Sequence, residues 1–146
     1  MNSNQNLNEN LNPSENQKTS GSSESRSEIN KRNDLEKELR SFIGTEQYYK
    51  HQLGVMYTDG VQFLAEKAGA YWLIDAIASY QTKRIVFEYP FQIWTLTVNN
   101  NQAALEMKGD SGFPVAIRQH IKFTDFPLDE IKLYLIDGIL LLPSEY

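Results

Sequence analysis

The strongest constraint on this chain is residues 58–81, TDGVQFLAEKAGAYWLIDAIASYQ, the only stretch long and apolar enough to supply helices to a core. Asp59 stands where an N-cap belongs, and Gln62 three residues on completes the pattern of a capping box. Val61, Leu64, Ala65 and Ala68 recur at the spacing of one helix face. Gly69 follows at once, a residue able to end a helix in a left-handed conformation. Residues 70–80 then restart a helix that is apolar on nearly every side, broken by Asp75 and Ser79, and such a helix should be buried.

Everything downstream reads as a sheet for this helix pair to cover. Residues 91–98 alternate, with Trp94, Leu96 and Val98 on one side and Phe91 and Ile93 on the other. A turn at residues 99–101 leads into 102–108, and GDSGFP at 109–114 is a dense turn signal. In residues 115–123, Val115, Ile117, Ile121 and Phe123 should face inward, with Arg118, His120 and Lys122 toward water. Residues 130–136 and 139–143 form a hairpin around Asp137–Gly138, the favoured pair for a type I′ turn. The second strand of that hairpin, ILLL, is apolar on both faces. The fold expected is therefore α+β: a meander-like antiparallel sheet of five strands, each beside its sequence neighbour, with two helices on one face.

Ahead of the helices the chain has two parts. Met1–Asn33 holds nine Asn and seven Ser, with Met1, Leu7, Leu11 and Ile29 as its large apolar residues, so it should be a disordered tail. Residues 34–146 should be a single domain, long enough to bury a core. Residues 34–41 read as a short helix capped by Asp34, with Leu35 and Leu39 on one face. Residues 42–56, aromatic and punctuated by Gly44 and Gly54, read as a loop.

Composition excludes several functions. There is no Cys, hence no disulfide, no thiolate nucleophile and no cysteine-ligated metal. The N-terminus lacks the basic and apolar regions of a signal peptide, and no apolar run approaches the ~20 residues of a membrane span, so a cytoplasmic location is expected. Net charge is −5; from Phe42 onward eight basic residues face twelve acidic ones, which leaves about −4. That sign disfavours nucleic acid as a partner, although a local basic patch stays open.

The blocks TDGVQFLAEKAGAYWLIDAIASYQ and FTDFPLDEIKLYLIDGILLLPSEY resemble a family of small bacterial proteins, often plasmid- or phage-borne, known only as a domain of unknown function. The resemblance covers residues 48–146 and brings no activity, cofactor or site residue. It implies a bacterial, mobile-element setting.

Two functional readings remain. In the first, the chain is a non-enzymatic protein-binding module, a regulator or inhibitor. Its recognition surface is drawn from the aromatic residues Tyr48, Tyr49, Tyr57 and Trp72 near the helix starts, because Tyr and Trp serve as interface anchors. In the second, it is a small enzyme or nucleotide binder with a pocket at His51, working with Asp59 or Asp125. Packing under the helices would explain the aromatics equally well, and an N-cap role already explains Asp59. His51 and His120 are too few for a convincing metal site, and no metal or other cofactor is expected. Asp75, flanked by Tyr71, Trp72, Ile74 and Ala76, should be partly buried against a Tyr hydroxyl, the Trp94 indole or a sheet cation. GDSGFP lacks the lysine of a phosphate loop, and Ser111 lies in no nucleophile elbow. The partner expected is a protein, not a membrane; a homo-oligomer is left open.

Overall fold

The computed structural model describes residues 25–146. The chain's contacts divide at Asn33/Asp34, and the fold is that of Asp34–Tyr146. Among the described residues there are four α-helices: α1 (Arg26–Arg40), α2 (Asp59–Ala68), α3 (Tyr71–Ser79) and α4 (Lys83–Glu88). The strands are β1 (Tyr48–Lys50), β2 (Met56–Thr58), β3 (Phe91–Asn99), β4 (Gln102–Lys108), β5 (Val115–Ile121), β6 (Glu130–Ile136) and β7 (Ile139–Leu141). They form one seven-stranded sheet in the order β1-β2-β7-β6-β3-β4-β5.

The architecture is α+β with a mostly antiparallel sheet, but it is not a meander of five strands. β6 lies beside β3, with Trp94 opposite Leu133, and not beside its predecessor β5. Pairing β6 with β3 places these two long strands in the middle of the sheet, where each has a neighbour on both edges. The loop expected over residues 42–56 is instead a hairpin, β1 against β2, and β2 joins β7 in parallel. These strands of three residues are too short to show alternation in sequence.

The core lies between α2, α3 and one sheet face. Val61, Leu64, Leu73, Ile74 and Ile77 meet Trp94, Leu96, Leu105, Met107 and Leu133, all nearly inaccessible. Leu35 and Leu39 of α1 are buried in the same core. The Asp137–Gly138 turn has positive φ at both residues (51° and 78°), as a type I′ hairpin requires. Leu140, Leu141 and Leu142 are buried, as the apolar run implies. The opposite sheet face carries Phe91, Tyr134 and Tyr146 in ring contact at centroid distances of 5.3–6.2 Å.

Several local expectations are corrected. Asp34 does not start a helix: α1 begins at Arg26, with the Ser25 hydroxyl accepting the Glu28 amide, so residues 26–33 are helical. The expected disorder of residues 1–24 lies outside the described residues. Helix α3 is not buried all round, because Tyr71, Asp75 and Ser79 are exposed along one side. Phe123 lies beyond the end of β5 and is 71% exposed, whereas Val115, Ile117 and Ile121 are half-buried.

Candidate functional site

Asp59 is not the cap of α2. Thr58 is, its hydroxyl accepting the Val61 amide at 3.2 Å, and Asp59 is the first helical residue. The reciprocal partner of the cap is not Gln62, which donates to the Tyr71 hydroxyl. It is Glu145, from the far end of the chain. One carboxylate oxygen accepts from the Thr58 hydroxyl (2.7 Å) and the Leu142 amide (2.9 Å), and the other from the Gly60 amide (3.1 Å). Burial lifts the Glu145 carboxyl above its ordinary range, against the opposing pull of these donors; the nearby Asp59 charge adds to the rise. A Cβ on Gly60 would meet the Glu145 carboxylate at 2.7 Å, so glycine is what admits this contact. The anion-seeking end of α2 is thus occupied by the chain's own carboxylates.

His51 opens the turn between β1 and β2. Leu53 donates its amide to Nδ1 at 3.0 Å, which leaves the proton on Nε2, and Nε2–H donates to Asp75 Oδ1 at 2.6 Å. The imidazole is 10% exposed and the Asp75 side chain 67% exposed. Asp75 is therefore a surface carboxylate held by His51, not a buried one held by Trp94, whose indole donates to Gln92. The carboxylate at His51 is that of Asp75, not of Asp59 or Asp125. Both ring nitrogens are committed, so neither is free to take a substrate proton or to bind a metal. His120 is exposed on β5. Among the described residues no three His, Asp or Glu side chains gather as metal ligands, and no helix is long and apolar enough to cross a membrane.

The aromatic set is dispersed in role. Tyr49 stacks on Tyr57 across the hairpin at 5.5 Å, and its hydroxyl donates to Gln47. Tyr57 and Trp72 are half-buried against the core. Tyr48 is the exposed member. Tyr71, exposed at the start of α3, donates to Glu66, and this bond raises its phenol above the ordinary value.

A concave site lies on the other side of the His51 turn. The pocket, about 290 Å³, is walled by Leu53, Gly54 and Val55 of that turn, by Val86, Tyr89 and Pro90, and by Asp137 and Gly138 of the last hairpin. Gln81, Gln92 and Leu135 form its floor. The two glutamines bond reciprocally at 3.0 and 2.8 Å, and Gln92 also accepts from Trp94 and donates to the Tyr89 carbonyl. The Gln92 amide is therefore fully engaged, and the floor offers little polar capacity to a ligand. At the rim, α4 buries none of its residues; Val86 is 50% and Phe87 86% exposed, and Leu53 stands 62% exposed across the pocket. Sequence reasoning missed these residues because α4 is a single six-residue turn of helix with no apolar stripe. Its start was legible: the Thr82 hydroxyl caps the Ile85 amide. A broader depression of about 420 Å³ beside α1 is rimmed by Glu36, Arg40, Glu130 and Lys132, charges of both signs.

Fold and site together define a small α+β domain whose sheet is covered by helices on one face and whose pocket beside α4 is lined mainly by apolar residues. The chain belongs to DUF6876, a family of unknown function, whose family model matches residues 33–146. Among curated proteins and among solved structures, nothing matches.

Proposed function

We propose that the protein is a non-enzymatic protein-binding module, and that its partner seats a large apolar side chain in the pocket bounded by Leu53, Val86 and Tyr89. The observation that carries this reading is the short helix α4, which exposes Val86 and Phe87 beside an apolar pocket with Leu53 on its opposite rim. Exposed apolar groups gathered in one place are costly to keep in water unless something binds there. A pocket of about 290 Å³ lies just below the usual range for ligand sites, roughly 300–1,000 Å³, and suits one anchoring side chain. The engagement of both His51 nitrogens supports a binding role over a catalytic one. In this reading the His51–Asp75 pair positions the turn that carries Leu53. A mobile-element setting, which the sequence resemblance implies, fits a regulator or inhibitor of a host system.

The test is co-purification from cells that naturally carry the chain, comparing the native protein with a Val86→Asp, Phe87→Ala double variant. A protein retained by the native chain should be lost from the double variant, a fall of tenfold or more for a surface that contains the main anchors, by about 1.4 kcal/mol per decade. Retention that ignores α4 but fails in a Tyr48→Ala, Tyr49→Ala variant would move the surface to the β1–β2 hairpin and contradict the proposal.

A further inference from the structure

The sheet ends in two unlike edges. β1 is a three-residue strand, a blunted edge, whereas β5 at the other side spans seven residues and, among the described residues, has no neighbour beyond it. An open edge displays a row of unpaired backbone groups, and proteins usually shorten, kink or cover it. β5 is kinked at one end only: its register against β4 skips a residue at Ala116, between the Met107–Ile117 and Lys108–Val115 pairs. Residues 117–121 then pair regularly with β4, and no proline interrupts them.

The side chains along this edge are incomplete on both faces. On the helix-covered face Ile117 and Ile121 are only half-buried, with Gln119 between them accepting a hydrogen bond from Tyr80. On the other face Arg118 and His120 are exposed, and Lys122 is exposed just beyond the strand. No acidic residue occurs in residues 115–123. Glu106 of β4 meets Arg118 at 2.7 Å, which leaves Lys122 and His120 without a carboxylate partner on that strand. Phe113 and Phe123 bracket the edge, 56% and 71% exposed.

We propose that β5 is a docking edge for an extended segment of a partner protein, which adds as an eighth strand with acidic residues alternating with apolar ones. Main-chain bonds to β5 would supply affinity, and alternate side chains specificity. The acidic positions would face Arg118, His120 and Lys122. The apolar positions would cover Ile117 and Ile121 and reach the flanking phenylalanines. A second copy of this chain is a poor occupant, since antiparallel pairing of β5 with itself sets basic residues against basic residues. This edge is separate from the pocket beside α4, and either surface stands without the other.

The experiment uses the full chain and two nine-residue peptides, one alternating Val or Ile with Glu, the other with Lys in place of Glu. Binding is followed by amide chemical shifts and by hydrogen exchange. The Glu peptide should shift and protect β5 amides, weaken about threefold or more as salt rises through the screening range, and bind more tightly than the Lys peptide. A His120→Glu, Lys122→Glu variant alters exposed side chains alone and should reverse the order of the two peptides. Equal binding of both peptides, shifts confined to other strands, or no binding would overturn the proposal. Concentration-dependent protection of β5 without peptide would also overturn it, in favour of self-pairing.

Discussion

Replacing Gly60 by Ala should have opposite effects depending on one residue at the other end of the chain. In the native protein the new methyl meets the Glu145 Cδ, Oε1 and Oε2 atoms at 2.7 Å, so the carboxylate must withdraw. It then gives up the Thr58 hydroxyl, the Leu142 amide and the Gly60 amide. A net hydrogen bond contributes about 0.5–1.5 kcal/mol; for three around a half-buried carboxylate, discounted for solvent and for relief of burial, about 2 kcal/mol is at stake. Against this, Ala is favoured over Gly within a helix by about 0.8 kcal/mol. Gly60→Ala should therefore destabilise the native chain by about 1 kcal/mol. Glu145→Ala should cost about 2 kcal/mol by the same hydrogen-bond count. In the Glu145→Ala background the clash is gone, and Gly60→Ala should stabilise by several tenths of a kcal/mol or more. The assay is denaturant unfolding of the four proteins at matched pH, read as a double-mutant cycle. A coupling below about 0.5 kcal/mol, with Gly60→Ala acting alike in both backgrounds, would show that Glu145 does not hold the start of α2.

Further outcomes follow from the same geometry. Burial holds the Glu145 carboxyl above its ordinary 4.5 in the folded state, so the folded chain keeps that proton to higher pH than the unfolded one. Its contribution to stability is therefore full below the unfolded value and falls as pH rises through the folded one; Glu145→Gln should remove this component from the stability–pH curve. Asp75→Asn should leave the global midpoint nearly unchanged, because the carboxylate is exposed, but should speed hydrogen exchange at the Leu53 amide as the His51 turn loosens. Gly138→Val places a β-branched residue at φ 78° and should cost on the order of 1–3 kcal/mol by thermal or denaturant unfolding; a neutral result would refute the strain assigned to that turn.

What the sequence disclosed, and what it hid, follows from the range of the interactions. The α2–α3 pair, the Gly69 stop and the Asp137–Gly138 hairpin rest on local periodicity and turn chemistry, and were legible. The β6–β3 pairing was not, since the adjacency of two apolar strands is set by which arrangement buries both, not by either strand alone. Strands β1 and β2 pair with each other directly but join the rest of the sheet through β7, a contact across more than eighty positions of sequence, so little that is local marks them. Asp59 showed the right residue type for a cap one position late; the extended backbone of Thr58 and the distant Glu145 decided the matter. His51 was visible as a candidate, but its partner was identified by folding alone. The surface at Val86 and Phe87 was hidden for a plainer reason: an exposed apolar residue in a short segment has no pattern to announce it.

The central claim, that the chain binds a protein through the surface beside α4, is tested most directly by photocrosslinking. A benzophenone-bearing residue in place of Phe87, introduced in cells that naturally carry the chain, should form one discrete covalent adduct with another protein on irradiation. The adduct should vanish when Leu53→Asp is added across the pocket, and should not form when the crosslinker replaces Lys67 on α2. Absence of a protein adduct at position 87, with a small molecule retained in the native protein's mass spectrum and released by Leu53→Asp, would contradict the account and make the pocket a ligand site.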